Sequence, residues 1–498
     1  MRNEVVVAAA VTTAAAVVGV ALLLRHWRQR SERRLRHAQR ILRNFARRCA
    51  TPAAKLWHVA DELAAEMEAG LSSGERGGNL RMLVSYAAPL PTGEEKGTYY
   101  GINLRATNFV IVRATLDGKN EPLNQLLKQE VPIPPSLMAD AESSKELCDL
   151  IAFELAKFIS VHSESTDNNK GETVKRSKLG FTVSSFPVDH QAPPSAAIAI
   201  KWTNLPFNDA ARKELATEVN QALEKLGLDY LRVSEVVNDT IGDLAGGRYY
   251  SKESVAAVTL GIGGTDIAYI ECPQQISSPV KDSSKSNETV INMQWGNFSS
   301  SHLPLTEYDT SLDAESIDPG ARIFEKLISG MYLGEIVRRV LLKMAHEAAL
   351  FGDSVPPKLT IPYLLRSPDM AAMHQDTSED YEVVQEKLNE IFDINNSTPM
   401  VREIVTEICD VVAERGARLV GAGIVGSVKK MGRIENRKSV IIVEGGMYER
   451  YRIYRNYVQS SVWEMVGNEF SDNVMIHHCH GGSGAGSVFL AASQTAHS

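Results

Sequence analysis

Residues 230–250 read YLRVSEVVNDTIGDLAGGRYY. Leu231 and Val233 alternate with Arg232 and Ser234, and Val236-Val237 follow, so the spacing predicts a half-buried strand over 230–237. The strand runs into Asn238-Asp239-Thr240 and then a glycine-containing segment. In open α/β sheets, ligands bind beyond the carboxyl ends of strands. Asp239 stands at such an end. It can take a proton from an alcohol as general base, or it can cap the next helix or close a turn.

Working outward, Leu42, Phe45, Leu56, Val59, Leu63 and Met67 recur at helical spacing and predict helix over 36–70. Strand patterns follow at 81–86, 98–105 and 109–116. The stretch INLRATNFVIV (102–112) reads as a hairpin turning near Arg105-Ala106. A helix at 144–161, strands at 179–188 and 196–202, and a helix at 208–226 lead to the strand before Asp239. A second strand-rich block begins at Val255, followed by a long helical pattern over 321–350 and helices at 380–393 and 400–418. The chain closes with strand 439–443, a Gly pair and helix, strand 473–478, and a helix at 486–493. Hairpins followed by helix, strand and helix therefore occur twice, as expected for two α/β domains around a cleft.

Three Gly-rich stretches sit at junctions: LGIGGTD (260–266), VEGGMY (443–448) and HGGSGAG (480–486). Backbone N–H groups in such turns, and the helix N-termini after the last two, favour an anion. None matches a Walker or dinucleotide fingerprint. With the 102–112 hairpin they suggest a nucleotide site assembled from several loops. His477-His478-Cys479-His480 invites a metal, but adjacent strand residues face opposite sides, so no metal site is assigned.

At 498 residues the chain is long enough for two or more domains, and its net charge of −8 argues against nucleic acid as partner. Five cysteines form no CxxC pair, which fits a reducing compartment. Val5–Leu24 is apolar all round and long enough to cross a bilayer, and 25–48 then holds ten Arg and one acid. This predicts an uncleaved anchor helix with the rest of the chain in the cytosol. A transit peptide is the alternative. The expected organisation is an anchor (1–24), a basic juxtamembrane segment (25–50), a small domain (51–243) and a large domain (244–498).

VNDTIGDLAGGRYY (237–250), INMQWGNFSSSHLP (291–304), LDAES (312–316), FEKLISGMYLGEIVRRVLLKM (324–344), AGIVGSVKKMGR (422–433) and VEGGMYERY (443–451) together resemble the plant-type hexokinases. The likeness is greatest to the hexokinase-like members with altered active sites, and it includes the anchor and Arg-rich neck. It implies an actin-like ATPase (ribonuclease H-like) fold and ATP-dependent transfer of a phosphoryl group, with Mg²⁺, to the 6-hydroxyl of a hexose. Glucose is the first candidate, with fructose and mannose after it. The resemblance points to the mitochondrial outer membrane for the anchor. It makes Asp239 the catalytic base and Ser185, Thr203, Asn238 and Glu315 sugar ligands. Asn204, Asp266 and Gln294 occupy sugar-site positions where the family has Lys, Asn and Glu. Gly263, Gly264 and Thr265 form the second phosphate loop, and Gly445, Gly446 and Ser483 lie in the later ones.

The first phosphate loop departs furthest. The family reads Asp-Leu-Gly-Gly-Thr-Asn-Phe-Arg, and this chain reads Asn103-Leu104-Arg105-Ala106-Thr107-Asn108-Phe109-Val110. An amide is a poorer ligand than a carboxylate for a hard cation, and an Arg side chain can obstruct a phosphate or pair with it. Two outcomes follow: a hexokinase with weak or lost turnover, or a non-catalytic, membrane-tethered protein that responds to hexose or nucleotide.

Overall fold

The computed structural model describes residues 29–73, 80–85, 89–105, 107–138, 144–162, 177–184, 209–261, 264–276 and 288–496. The anchor segment, Ser185, Thr203, Asn204, Ala106 and Gly263 lie outside these residues, as does the strand expected at 196–202. Among the described residues no helix is long and apolar enough to cross a membrane.

Among the described residues eleven strands form two sheets: β1 Met82–Ser85, β2 Lys96–Leu104, β3 Asn108–Asp117, β4 Asn124–Pro132, β5 Ser177–Val183, β6 Leu231–Asn238, β7 Ser254–Leu260, β8 Thr265–Glu271, β9 Thr289–Met293, β10 Ser439–Glu444 and β11 Val474–His478. The five-stranded sheet runs β4-β3-β2-β5-β6, antiparallel through β4, β3 and β2 and parallel from β2 to β6. The six-stranded sheet runs β1-β9-β8-β7-β10-β11, with the same antiparallel meander in β9, β8 and β7 and the same parallel pair after it. This duplicated arrangement is that of the actin-like ATPases. The theme expected to occur twice is therefore present in both sheets, with β1 as an additional edge strand of the second.

Strands in both sheets are buried on both faces near the centre. β10 reads SVIIVE and is buried throughout. Such runs need helices on each side, because a parallel pair requires a crossover. On one face of the five-stranded sheet lie Ser144–His162 and Asp209–Lys225, packed through Leu147, Ile151, Leu155, Val219 and Leu223. On the other face lie Asp239–Tyr250 and Gly486–Ala496, so the last helix of the chain packs on the first sheet. Glycines make that approach possible: a Cβ at Gly180 would sit 1.8 Å from the Ser487 carbonyl oxygen, and one at Gly486 would sit 2.3 Å from the Gly242 carbonyl carbon. The N-terminal helices, over 29–49 and Ala53–Ser73, share the six-stranded sheet's core through Phe45, Leu56, Val59 and Leu63.

Two expected helices are divided. The pattern over 36–70 breaks at Thr51-Pro52, because proline lacks an N–H and restricts the residue before it. The pattern over 321–350 splits into Ile323–Ile328 and Gly330–Ala348, where the Ser329 hydroxyl accepts from the Met331 N–H. The helix expected at 400–418 instead runs Pro399–Lys430.

Candidate active site

The strand ends converge at one end of the two sheets. β6 ends at Asn238, whose side-chain oxygen accepts from the Thr240 N–H at 2.9 Å and caps the helix Asp239–Tyr250. The capping reading of this segment is thus realised by Asn238, leaving the Asp239 carboxylate in the first helical turn, where the dipole favours an anion. Thr240 Oγ1 lies 2.7 Å from Thr259 Oγ1 on β7, tying this helix start to the second sheet.

Asp239 accepts a hydrogen bond from Ser184 Oγ at 2.5 Å. Burial raises its pKa above the ordinary carboxylate value, and the bonds from Ser184 and the helix N–H groups, with the positive field of Arg105, only partly offset this. A carboxylate so placed is a better base than one in water. Asn238 Nδ2 donates to Asp266 Oδ2 at 3.1 Å, so two expected sugar-site residues stand side by side, with Asp266 buried.

Thr265 is buried. Its N–H donates to Glu325 at 3.1 Å, its hydroxyl donates to the same carboxylate, and the Trp295 indole N–H donates to its oxygen at 3.0 Å. Burial raises the pKa of Glu325, opposed by Thr265 and Arg322. Gln294 precedes this knot, its backbone N–H bonded to Arg81. Gly264 closes the loop by accepting from the Gly261 N–H at 2.9 Å. Glu315 is exposed, and its carboxylate accepts from Arg339 at 2.7 Å, an ion pair that lowers its pKa. That pair belongs to the second lobe's own helices.

The phosphate side is built differently. Asn103 is fully buried at the end of β2; its amide donates to Thr182 Oγ1 at 3.0 Å, and its oxygen accepts from Arg105 Nε at 2.7 Å. The other end of Arg105 donates to Ser483 Oγ at 2.7 Å. Arg105 therefore spans from the first loop to the last. Lys128 on β4 donates to the Ser483 carbonyl at 2.6 Å. Gly481, Gly482 and Gly484 all have positive φ (79°, 68° and 82°), a conformation glycine adopts at low cost. Gly445, at φ 112°, abuts β7: a Cβ there would sit 2.3 Å from the Leu260 carbonyl oxygen. Gly446 opens the short helix after it. Thr107 is exposed, its carbonyl accepting from the Ile133 N–H, and Asn108 donates to Glu130 on β4 rather than into the cleft.

Behind Ser483 lie Glu444 and Asp243, both buried. Burial and then the negative field of Asp239 push Glu444 up to about 7, although Ser483 bonds to it. Burial and the charges of Glu444 and Asp239 raise Asp243 well above the carboxylate range. Cys479 Sγ lies 3.1 Å from Asp243 Oδ1, and burial raises the thiol pKa as well. The other residues of the 477–480 run diverge: His478 meets the Tyr448 ring and His480 the Tyr250 ring. Among the described residues no group of three His, Cys, Asp or Glu side chains could hold a metal. Mg²⁺ carried on a polyphosphate needs only one or two protein carboxylates. Asp243 and Glu444, each buried beside other negative charge, fit that smaller demand.

Ser184, Glu444 and Glu325 were missed from the sequence. Ser184 directly follows the strand GFTV and stands one residue before the expected Ser185, which lies outside the described residues. Glu444 sits at a strand's carboxyl end before a Gly pair, the same signal that singled out Asp239.

Family models described as hexokinase match residues 41–249 and 255–493. Hexokinase-1 of Spinacia oleracea is 46% identical over 99% of this chain and 98% of the relative, and Hexokinase-1 of Arabidopsis thaliana is 46% identical over 99% of each. Among solved structures, the Schistosoma mansoni hexokinase complexed with glucose superposes with a TM-score of 0.72 at 25% identity, covering 92% of this chain and 99% of that one. The matches cover both sheets, the Asp239 helix and all the glycine loops: the chain belongs to the hexokinase family.

Proposed function

We propose that this protein binds a hexose at the Asp239 end of the cleft and transfers a phosphoryl group from ATP to its 6-hydroxyl, with turnover strongly reduced. Asn238, Asp266 and Gln294, with Glu315, Thr203 and Asn204 from the flanking segments, hold the sugar. Asp239 takes the hydroxyl proton as the oxygen attacks, and Ser184 fixes the carboxylate's orientation. The loops around Gly264, Gly445-Gly446 and Gly481–Gly484 carry the phosphates on backbone N–H groups. Asp243 and Glu444 would hold Mg²⁺, which supplies neutralisation of charge between the phosphates.

The observation that carries the reduced turnover is the Arg105 bridge between Asn103 and Ser483. It occupies the span between the first and last phosphate loops, and a phosphate must displace it or share its guanidinium. The buried amide of Asn103, already bonded on both atoms, favours a second reading: a non-catalytic regulator that responds to sugar or nucleotide. Glucose-dependent ADP production by the full chain, compared with Asp239→Ala, separates the two. Activity that falls about 10²–10⁴-fold in the variant supports slow catalysis. Wild-type activity equal to the variant's leaves the regulator.

We also infer that Val5–Leu24 anchors the chain in a membrane, the mitochondrial outer membrane by resemblance, with the hexokinase lobes in the cytosol. Deleting those residues should release the protein into the soluble fraction; a deletion variant still on the membrane would refute the anchor.

A further inference from the structure

Sharing no lining residue with the groups around Asp239, a cavity of about 600 Å³ opens between the helix over 29–49 and the helices Glu307–Glu315 and Gly330–Ala348. Its floor is apolar: Phe45 and Tyr308 are both buried and meet edge to face at 5.3 Å. Its rim is cationic. Arg40, Arg43 and Arg47 lie three and four residues apart, so they line one side of their helix, and Lys343 faces them from the opposite wall. The two acids at the rim are engaged already. Glu307 takes Arg48 and, at 3.4 Å, Lys343, and Glu347 lies 3.8 Å from the same lysine.

The three arginines are different. Arg43 reaches only the Gln39 carbonyl and Arg47 only the Asn44 amide oxygen, and among the described residues none of the three has a carboxylate partner. Elsewhere on the same helix, Arg30 and Arg34 are paired with Asp353 and Arg36 with Glu32. Unneutralised guanidinium groups around a concave, apolar-floored site match an oxyanion with an organic body. Arginine's fork binds phosphate oxygens in pairs.

We propose that this cavity binds a phosphate-bearing anion, the phosphate on Arg40, Arg43 and Arg47 and its organic portion over Phe45 and Tyr308. The phosphate can belong to a soluble ester or to an anionic lipid headgroup. The position of the helix, directly after the expected anchor, brings the second source close.

The test uses the full chain in neutral-detergent micelles, with the melting temperature as readout, because a ligand bound by the native state raises it. One arm titrates inorganic pyrophosphate; the other compares micelles doped with phosphatidylserine and with phosphatidylcholine. Arg40→Gln/Arg47→Gln is compared with Arg33→Gln/Arg36→Gln, which removes the same charge from the same helix outside the cavity. All variants keep the Asp239 cleft, so only the difference between them reports on the cavity. The expected result is stabilisation in at least one arm, weakened about tenfold or more in apparent affinity by the cavity pair and unchanged by the control pair. A rise confined to phosphatidylserine identifies a headgroup, and a rise with pyrophosphate a soluble phosphate. Equal loss in both pairs, or no rise in either arm, overturns the proposal. Should the cavity pair melt early without ligand, Lys343→Gln on the opposite wall gives the same comparison.

Discussion

The two corners of the cleft stand in different condition. At the proposed sugar corner, Asn238, Asp239, Ser184 and Asp266 form a bonded set that orients the Asp239 carboxylate. At the phosphate corner, the polar groups satisfy one another. Asn103 is spent on Thr182 and Arg105, and Arg105 on Ser483. A fold can therefore keep its base while the surface that should receive phosphate closes on itself, because the two corners rest on different strand ends. Arg105 lies in the β2–β3 turn, and Asp239 follows β6 at the far edge of the same sheet.

The largest effect should come from undoing that closure. Asn103→Asp with Arg105→Gly and Ala106→Gly opens the loop and removes the guanidinium bridge. Glucose-dependent ADP production should rise about 10–100-fold, the range expected when a misplaced group is removed from a site governed by positioning. If the triple variant gains nothing while Mg-ATP binding improves, the sugar corner limits turnover and the contrast between corners is reversed.

Next in size is a change in stability with pH. Glu444 has a folded-state pKa of about 7 against an ordinary 4.5. Between these values the native state holds a proton that the unfolded chain has lost, so stability falls as pH rises through that window. Glu444→Gln removes this carboxylate and also the charge that raises Asp243. Denaturant unfolding at pH 5 and pH 7 should show the wild type losing roughly 2 kcal/mol more than the variant over that interval. Equal losses would mean that Glu444 is already ionised, and that the phosphate corner is not an acid-rich pocket awaiting a cation.

Much of this was legible in the chain, and the failures have physical causes. The β6 junction was readable because alternation, a strand end and a glycine segment coincide there. The Asn238–Asp266 contact followed only from family resemblance, since no local pattern joins residues on two sheets. β4 (NQLLKQEVP) was missed because its apolar residues do not alternate. The helix Pro399–Lys430 runs past its expected end through Gly421, Gly423 and Gly426, residues of low helix propensity. In the fold they are close-approach points: a Cβ at Gly423 would sit 2.8 Å from the Trp295 ring, and one at Gly426 2.7 Å from the Ala60 carbonyl oxygen. What Arg105 touches could not be read at all, because its partner Ser483 lies 378 residues away.

The smallest effect tests the proposed sugar corner. Ser184→Ala removes the hydroxyl that donates to Asp239 without touching the phosphate loops. That bond stabilises the ionised carboxylate, so its loss raises the Asp239 pKa further. The acidic limb of the kcat/KM profile should move to higher pH, and kcat should fall about tenfold at neutral pH, the cost of one hydrogen bond to a charged group. The glucose KM should change less than kcat if Ser184 orients the base, and more than kcat if it holds the sugar. Ser185→Ala is the matched control: an equal shift from that variant would place the working hydroxyl one residue later and loosen the account of the sugar corner.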